Sequence, residues 1–155
     1  MVTDDEYDDE YDDDDAVEFP GITQVFGTDE IPHVTPKTLK VYFDYLQKHL
    51  SLPCILTGIE SIGYFGWEER FEFGRGTKKE YEKLREERGS LHDNYELATL
   101  GNARLDRDSG IVVVVNRLPK RKRFEIPLSE LKAEDTATDN YDLLDDYSVW
   151  FVNWH

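Results

Sequence analysis

One stretch constrains this chain more than any other. Residues 139–154 hold two of the three tryptophans and four aspartates. At helical spacing Leu143, Tyr147, Trp150, Phe151 and Trp154 fall at i, i+4, i+7, i+8 and i+11, a single apolar stripe. Aromatic side chains of this size dominate a core, so the folded part is expected to pack around this segment. Asp142, Asp145 and Asp146 lie off the stripe at i, i+3 and i+4. Like charges at that spacing repel by roughly a few tenths of a kcal/mol per pair, and a cation would relieve the repulsion. The same residues also suit a helix start and a solvated face, with Asp139 as N-cap and Asp142 in the first turn. The stripe predicts helix to about Tyr147. Residues 148–154 fit helix or strand, because Val149 and Val152 fall off the stripe.

The charge is unevenly placed. Of the 34 acidic residues behind a net charge of −16, eleven lie in residues 1–19, which contain no Lys or Arg. Residues 20–155 carry 23 acidic and 18 basic groups, a net of −5. Residues 3–15 are low-complexity and too polar to offset chain entropy, so disorder is expected there. Such a tail solubilises, binds divalent cations weakly or docks onto a basic partner. Nucleic acid is disfavoured, because phosphate affinity comes from clustered Lys and Arg. The one basic cluster, Lys120-Arg121-Lys122-Arg123, sits in an expected hairpin turn.

A single cysteine, Cys54, excludes an intrachain disulfide and reads as a small core residue. No apolar run approaches the ~20 residues of a membrane span. No signal-peptide pattern opens the chain. A cytoplasmic monomer is expected.

Residues 17–29, with Pro20, Gly21 and Gly27, read as an irregular linker, so a single domain is expected over 31–155 behind an acidic tail and linker over 1–30. Thr35-Pro36 is a strong helix start. Leu39, Tyr42, Phe43, Leu46 and Leu50 then recur at helical spacing, predicting a packing helix over 36–50. Residues 53–60 read as a strand. Residues 67–73 alternate Trp67, Glu69, Phe71 and Phe73 against Glu68, Arg70 and Glu72, the pattern of a half-buried strand. The charged run 78–88 predicts a short surface helix docked by Tyr81 and Leu84. Strands are expected at 95–100, 111–116 and 123–127, the second β-branched and buried on both faces, with one turn at 128–131. Together these predict an α+β fold: a small bent antiparallel sheet, or a half-open Src-homology-type barrel, with an N-terminal packing helix and a C-terminal helix.

No catalytic set stands out. His33, His49, His92 and His155 form no close-spaced pair, and the glycines build no phosphate loop. A non-enzyme is expected. The strongest local signal is Asp106-Arg107-Asp108-Ser109-Gly110. Two carboxylates two residues apart in a turn can face one ion, and glycine permits the bend that turns carbonyls inward. Position 12 counted from Asp106 is Arg117, so this is not an EF-hand. The same residues are also ordinary turn formers. Glu60, Glu68 and Glu69 make a further, weaker acidic group.

The order of several pieces resembles the CcbP-like family of small acidic bacterial calcium-binding proteins. The pieces are Val34-Thr-Pro-Lys-Thr-Leu39 with Tyr42 and Leu46, Trp67-Glu68-Glu69, the turn Asp106-Arg-Asp108-Ser-Gly110-Ile111, Ile126-Pro-Leu-Ser-Glu-Leu131, and the ending Asn140-Tyr-x-Leu-x-Asp-Asp-Tyr-x-x-Trp-Phe-x-Asn-Trp154. The ending is the most specific, and the likeness spans roughly 31–154. It implies a compact α+β fold with a small barrel and cytoplasmic calcium buffering or sensing without an EF-hand. It implies Asp106 and Asp108 as first ligands, with Asp142, Asp145 and Asp146 behind them. Calcium takes six to eight hard oxygen ligands, which a carboxylate-rich chain offers. The expectation from a different class is an acidic interaction module that docks a basic protein or mimics nucleic acid.

Overall fold

The computed structural model describes residues 19–60 and 63–155. The acidic run 3–15 lies outside the described residues. The elements in chain order are α1 (Pro20–Phe26), α2 (Pro36–His49) and β1 (Cys54–Gly58), then a 3-10 turn (Gly66–Glu68) leading into the short α3 (Glu69–Glu72). After α4 (Lys78–Glu87) come β2 (Asn94–Leu97), β3 (Arg104–Asp106), β4 (Gly110–Arg117) and β5 (Lys122–Pro127). A second 3-10 turn (Leu128–Glu130), β6 (Leu131–Ala133) and α5 (Asp139–Asn153) follow.

The six strands form one antiparallel sheet in the order β3-β4-β2-β1-β6, with β5 on the other side of β4. The sheet is not closed, so the architecture is an α+β fold with a small open sheet. β4 is buried along most of its length, because its valines meet neighbours on both faces. β1 takes β2 on one edge and β6 on the other, with Leu56 opposite Tyr95 and Ala133.

α2 starts where its chemistry dictates. The Thr35 hydroxyl accepts from the Thr38 N–H at 3.1 Å, and the Thr38 hydroxyl accepts from the Thr35 N–H at 2.8 Å. This reciprocal cap satisfies two otherwise orphaned donors. Leu39, Tyr42 and Leu46 then face the core.

α5 is the packing centre. Tyr147 and Trp150 are fully buried, and Trp150 stands 4.9 Å from the Tyr42 ring. Its indole N–H donates to the Pro32 carbonyl at 2.9 Å. Leu144, not Leu143, is the fully buried leucine of the stripe, and Trp154 is half-buried. The helix runs through Asn153, so residues 148–153 take the helical one of their two readings. Phe151, one turn past Tyr147, stacks on it at 6.0 Å and holds the last turn against the sheet. The N-cap is Thr138, whose hydroxyl accepts from the Tyr141 N–H, and Asp139 is the first helical residue.

Two expectations are corrected. Residues 20–26 are a helix rather than linker, and Ile22 is fully buried in the core. Pro20 sits in the first turn and Gly27 closes the helix at φ +66°. These are helix punctuation marks, so the folded body begins before Ile31. Residues 67–73 are not a strand but the 3-10 turn and α3. Trp67 and Phe71 lie four apart and clasp the Tyr81 ring of α4 at 5.8 and 5.3 Å. That clasp turns Glu68 inward, where it is only 4% exposed.

Candidate functional site

Three acidic places emerge, and the fold treats each differently. The first is the β3–β4 hairpin. Asp106 pairs opposite Gly110, which takes φ +76°. Asp106 Oδ1 accepts from the N–H groups of Asp108 and Ser109 at 2.7 and 3.2 Å, and Oδ2 accepts from Arg104 at 3.3 Å. The two backbone donors, aided by Arg104, hold the Asp106 carboxyl below its ordinary range. The carboxylate is therefore engaged in making the turn, while Asp108 is exposed. The hairpin is fastened to α5: the Ile111 N–H donates to the Tyr147 hydroxyl at 2.9 Å. A side chain on Gly110 would collide with Tyr147 and Phe151, which is why glycine stands there.

The second place is the aspartate face of α5. Asp142 and Asp145 are exposed, whereas Asp146 is half-buried against α1. A Cβ on Gly21 would overlap the Asp146 carboxyl, so α1 lies directly on it. Burial raises the Asp146 carboxyl above its ordinary value, and the charges of Asp145 and Asp142 raise it further. Among the described residues no Lys or Arg pairs with any of the three. Asp145 instead lines a groove with Glu60, Glu130 and Val152. Nearby, Tyr42 keeps a buried hydroxyl with no hydrogen-bond partner among the described residues. Burial, then the Asp146 charge, pushes that phenol far above its ordinary range.

The third place is a cleft of about 600 Å³ beside α3, lined by Glu60, Glu68, Glu69, Glu72, Phe65 and Phe73, with Leu91 and His92 on its far wall. Glu68 forms the floor. Its carboxylate accepts from the Ser90 hydroxyl at 2.7 Å, the Tyr81 hydroxyl at 2.8 Å and the Leu91 N–H at 3.3 Å. The Trp67 indole donates to the Gly89 carbonyl at 2.8 Å and the Tyr95 hydroxyl to the Ser90 carbonyl at 2.7 Å. A two-bond Arg85–Asp93 pair, at 2.8 and 2.9 Å, ties α4 to the start of β2. The cleft floor is thus held on three sides.

The structure does not gather the expected ligands. Asp106 and Asp108 sit on the β3–β4 hairpin, and Asp142, Asp145 and Asp146 sit on α5. Among the described residues no three His, Cys, Asp or Glu side chains converge to hold a metal ion. Sequence spacing also gave no hint that Glu68 is interior. The available signal was Trp67-x-x-x-Phe71, which suits one helical face as well as a strand. Cys54 is half-buried, and burial pushes its thiol up to about 11, leaving it a poor nucleophile at neutral pH. No helix among the described residues is long and apolar enough to cross a membrane. None of the protein-family models, curated proteins or solved structures compared with the chain matches it.

Proposed function

We propose that this chain is a calcium-binding protein that holds its ion on an open carboxylate face rather than in a preformed cage. The observation that carries the reading is the α5 face. Asp142, Asp145 and Asp146 stand within two turns, no Lys or Arg among the described residues pairs with them, and Asp146 bears the cost of burial and then of its neighbours' charges. A divalent cation lowers that repulsion directly. With fewer than three converging protein ligands, water fills the remaining positions. The affinity then belongs with weak, open sites, on the order of 10⁻⁴ to 10⁻³ M. Such a site buffers calcium rather than switching at trace levels. The geometry shifts the weight from Asp106 and Asp108 to α5, because Asp106 is already engaged by its own hairpin.

Calorimetric and thermal-shift titrations with calcium chloride test this on three chains: the full chain, the chain lacking residues 1–18, and Asp142→Asn/Asp145→Asn/Asp146→Asn. The expected result is a calcium-dependent rise in Tm by linkage that survives removal of the tail and is lost in the triple variant. Absence of heat and of any Tm shift at millimolar calcium overturns the reading. Binding that disappears with the tail alone overturns its assignment to α5.

A further inference from the structure

The cleft beside α3 plays no part in the calcium reading, and its chemistry points elsewhere. It has apolar walls, Phe65, Phe73 and Leu91, and a carboxylate floor and rim, Glu68, Glu60, Glu69 and Glu72. A second hollow of about 280 Å³, lined by Phe71, Tyr81, Thr77 and Lys78, adjoins it and shares Glu68, Glu72 and His92. The two make an elongated groove. Phe73 is 69% exposed, the second most exposed large hydrophobic side chain among the described residues, and it stands at the groove's edge. Glu60, Glu69 and Glu72 form no ion pair with a Lys or Arg among the described residues. Arg70, the nearest base on α3, is engaged by Glu80 at 3.2 Å and lies over the Phe71 ring at 4.5 Å.

We propose that this groove docks an extended basic segment of another protein, with arginine or lysine heads on Glu60, Glu69 and Glu72 and apolar side chains against Phe73 and Leu91. A bare metal ion does not suit it, since most of the wall is hydrocarbon. A long basic side chain does, because its methylene stem covers apolar surface while its head meets carboxylate. Charge also decides between candidate occupants. The chain's own residues 1–18 are strongly acidic and are repelled by the rim. Glu68, buried beneath the groove and held by three donors, fixes the floor before any partner arrives, which reduces the cost of ordering on binding.

The test uses a fluorescein-labelled peptide containing Arg-Leu-Arg-Leu-Arg, titrated with the full chain in chelator-containing buffer at about 0.15 M salt, where long-range charge is screened. A peptide with Gln in place of Arg is the control. The expected result is saturable anisotropy for the arginine peptide alone. Glu69→Gln/Glu72→Gln and Phe73→Ala should each weaken it about tenfold, about 1.4 kcal/mol. Asp142→Asn/Asp145→Asn, which removes the same charge elsewhere, should change it less than about twofold. All these positions are exposed, and circular dichroism checks the fold. Amide shifts on peptide addition should cluster at Gly66, Glu69, Phe73, Leu91 and His92. Equal weakening by the two charge-neutralising variants overturns the proposal, because it means diffuse attraction. Indifference to Phe73→Ala overturns it too, as does an absence of binding. Self-association of the free chain, abolished by Glu69→Gln/Glu72→Gln, would instead assign the groove to the Lys120–Arg123 turn of a second copy and also overturn it.

Discussion

Glu68 and Asp146 are both carboxylates drawn out of water, and the fold supports them in opposite ways. Glu68 is nearly fully buried and receives two hydroxyl donors and one backbone donor. Asp146 is half-buried under α1, receives no hydrogen bond from the described residues and faces two like charges. A buried acceptor costs little when its lone pairs are filled and a good deal when they are not. The floor of the cleft is therefore a finished structural element, whereas the α5 face stores repulsion. Depth of burial alone would have ranked the two the other way.

The largest effect that probes this contrast is at Glu68. Glu68→Ala strands the Tyr81 and Ser90 hydroxyls and the Leu91 N–H, and should cost about 3 kcal/mol in urea unfolding. Glu68→Gln keeps an acceptor and should cost about half as much. A neutral result for Glu68→Ala would break the comparison, because the network would then contribute nothing. Next comes Tyr147, the residue beside Asp146. Tyr147→Phe removes the acceptor for the buried Ile111 N–H, and should lower stability by about 1–2 kcal/mol. Hydrogen exchange at Ile111 should accelerate in that variant.

The smallest effect carries the opposite sign. The folded-state value of Asp146 lies above that of the unfolded chain. The native state therefore binds this proton more tightly, and stability falls as pH rises from the ordinary aspartate value through the raised one. Above that window Asp146→Asn should be the more stable protein, by about 1 °C in Tm, since half-exposure screens most of the repulsion. Below the window the advantage should vanish. Melting curves of both proteins from pH 3 to 7 decide it. A lower Tm for Asp146→Asn at pH 7 would mean that the carboxylate has an attractive partner after all.

Much of the fold was legible because local and tertiary signals agreed. Thr35-Pro36 with Thr38 fixes where α2 starts, and the spacing of Tyr147, Trp150 and Phe151 fixes which face of α5 is inward. The β-branched run 111–116 marks the central strand. The failures came where one pattern serves two structures. Trp67 and Phe71 satisfy a period of two and an i, i+4 pair equally, and only Tyr81, from another helix, decides between them. Pro20 and Gly27 suit an irregular linker as well as the two ends of a helix, and they bracket Ile22, Val25 and Phe26 at helical spacing. The hairpin at Asp106 shows the remaining limit. Its residues spell both a turn and the opening of an ion loop, and only the hydrogen bonds of Asp106 Oδ1 show where that oxygen is already engaged.

The position of β1 carries a consequence for synthesis. β1 is flanked by β2 and by β6, and α5 packs over β6 and the turn before it. A nascent chain that has emerged as far as β5 can zip β1, β2, β4 and β5 together, yet one edge of β1 still presents unpaired backbone groups. Leu56, which pairs opposite Ala133 across that edge in the finished fold, lacks that neighbour. An open edge next to apolar surface is a template for unwanted pairing, and distant strand partners fold slowly. Residues 131–133 supply the strand that closes that edge, and α5 packs over it.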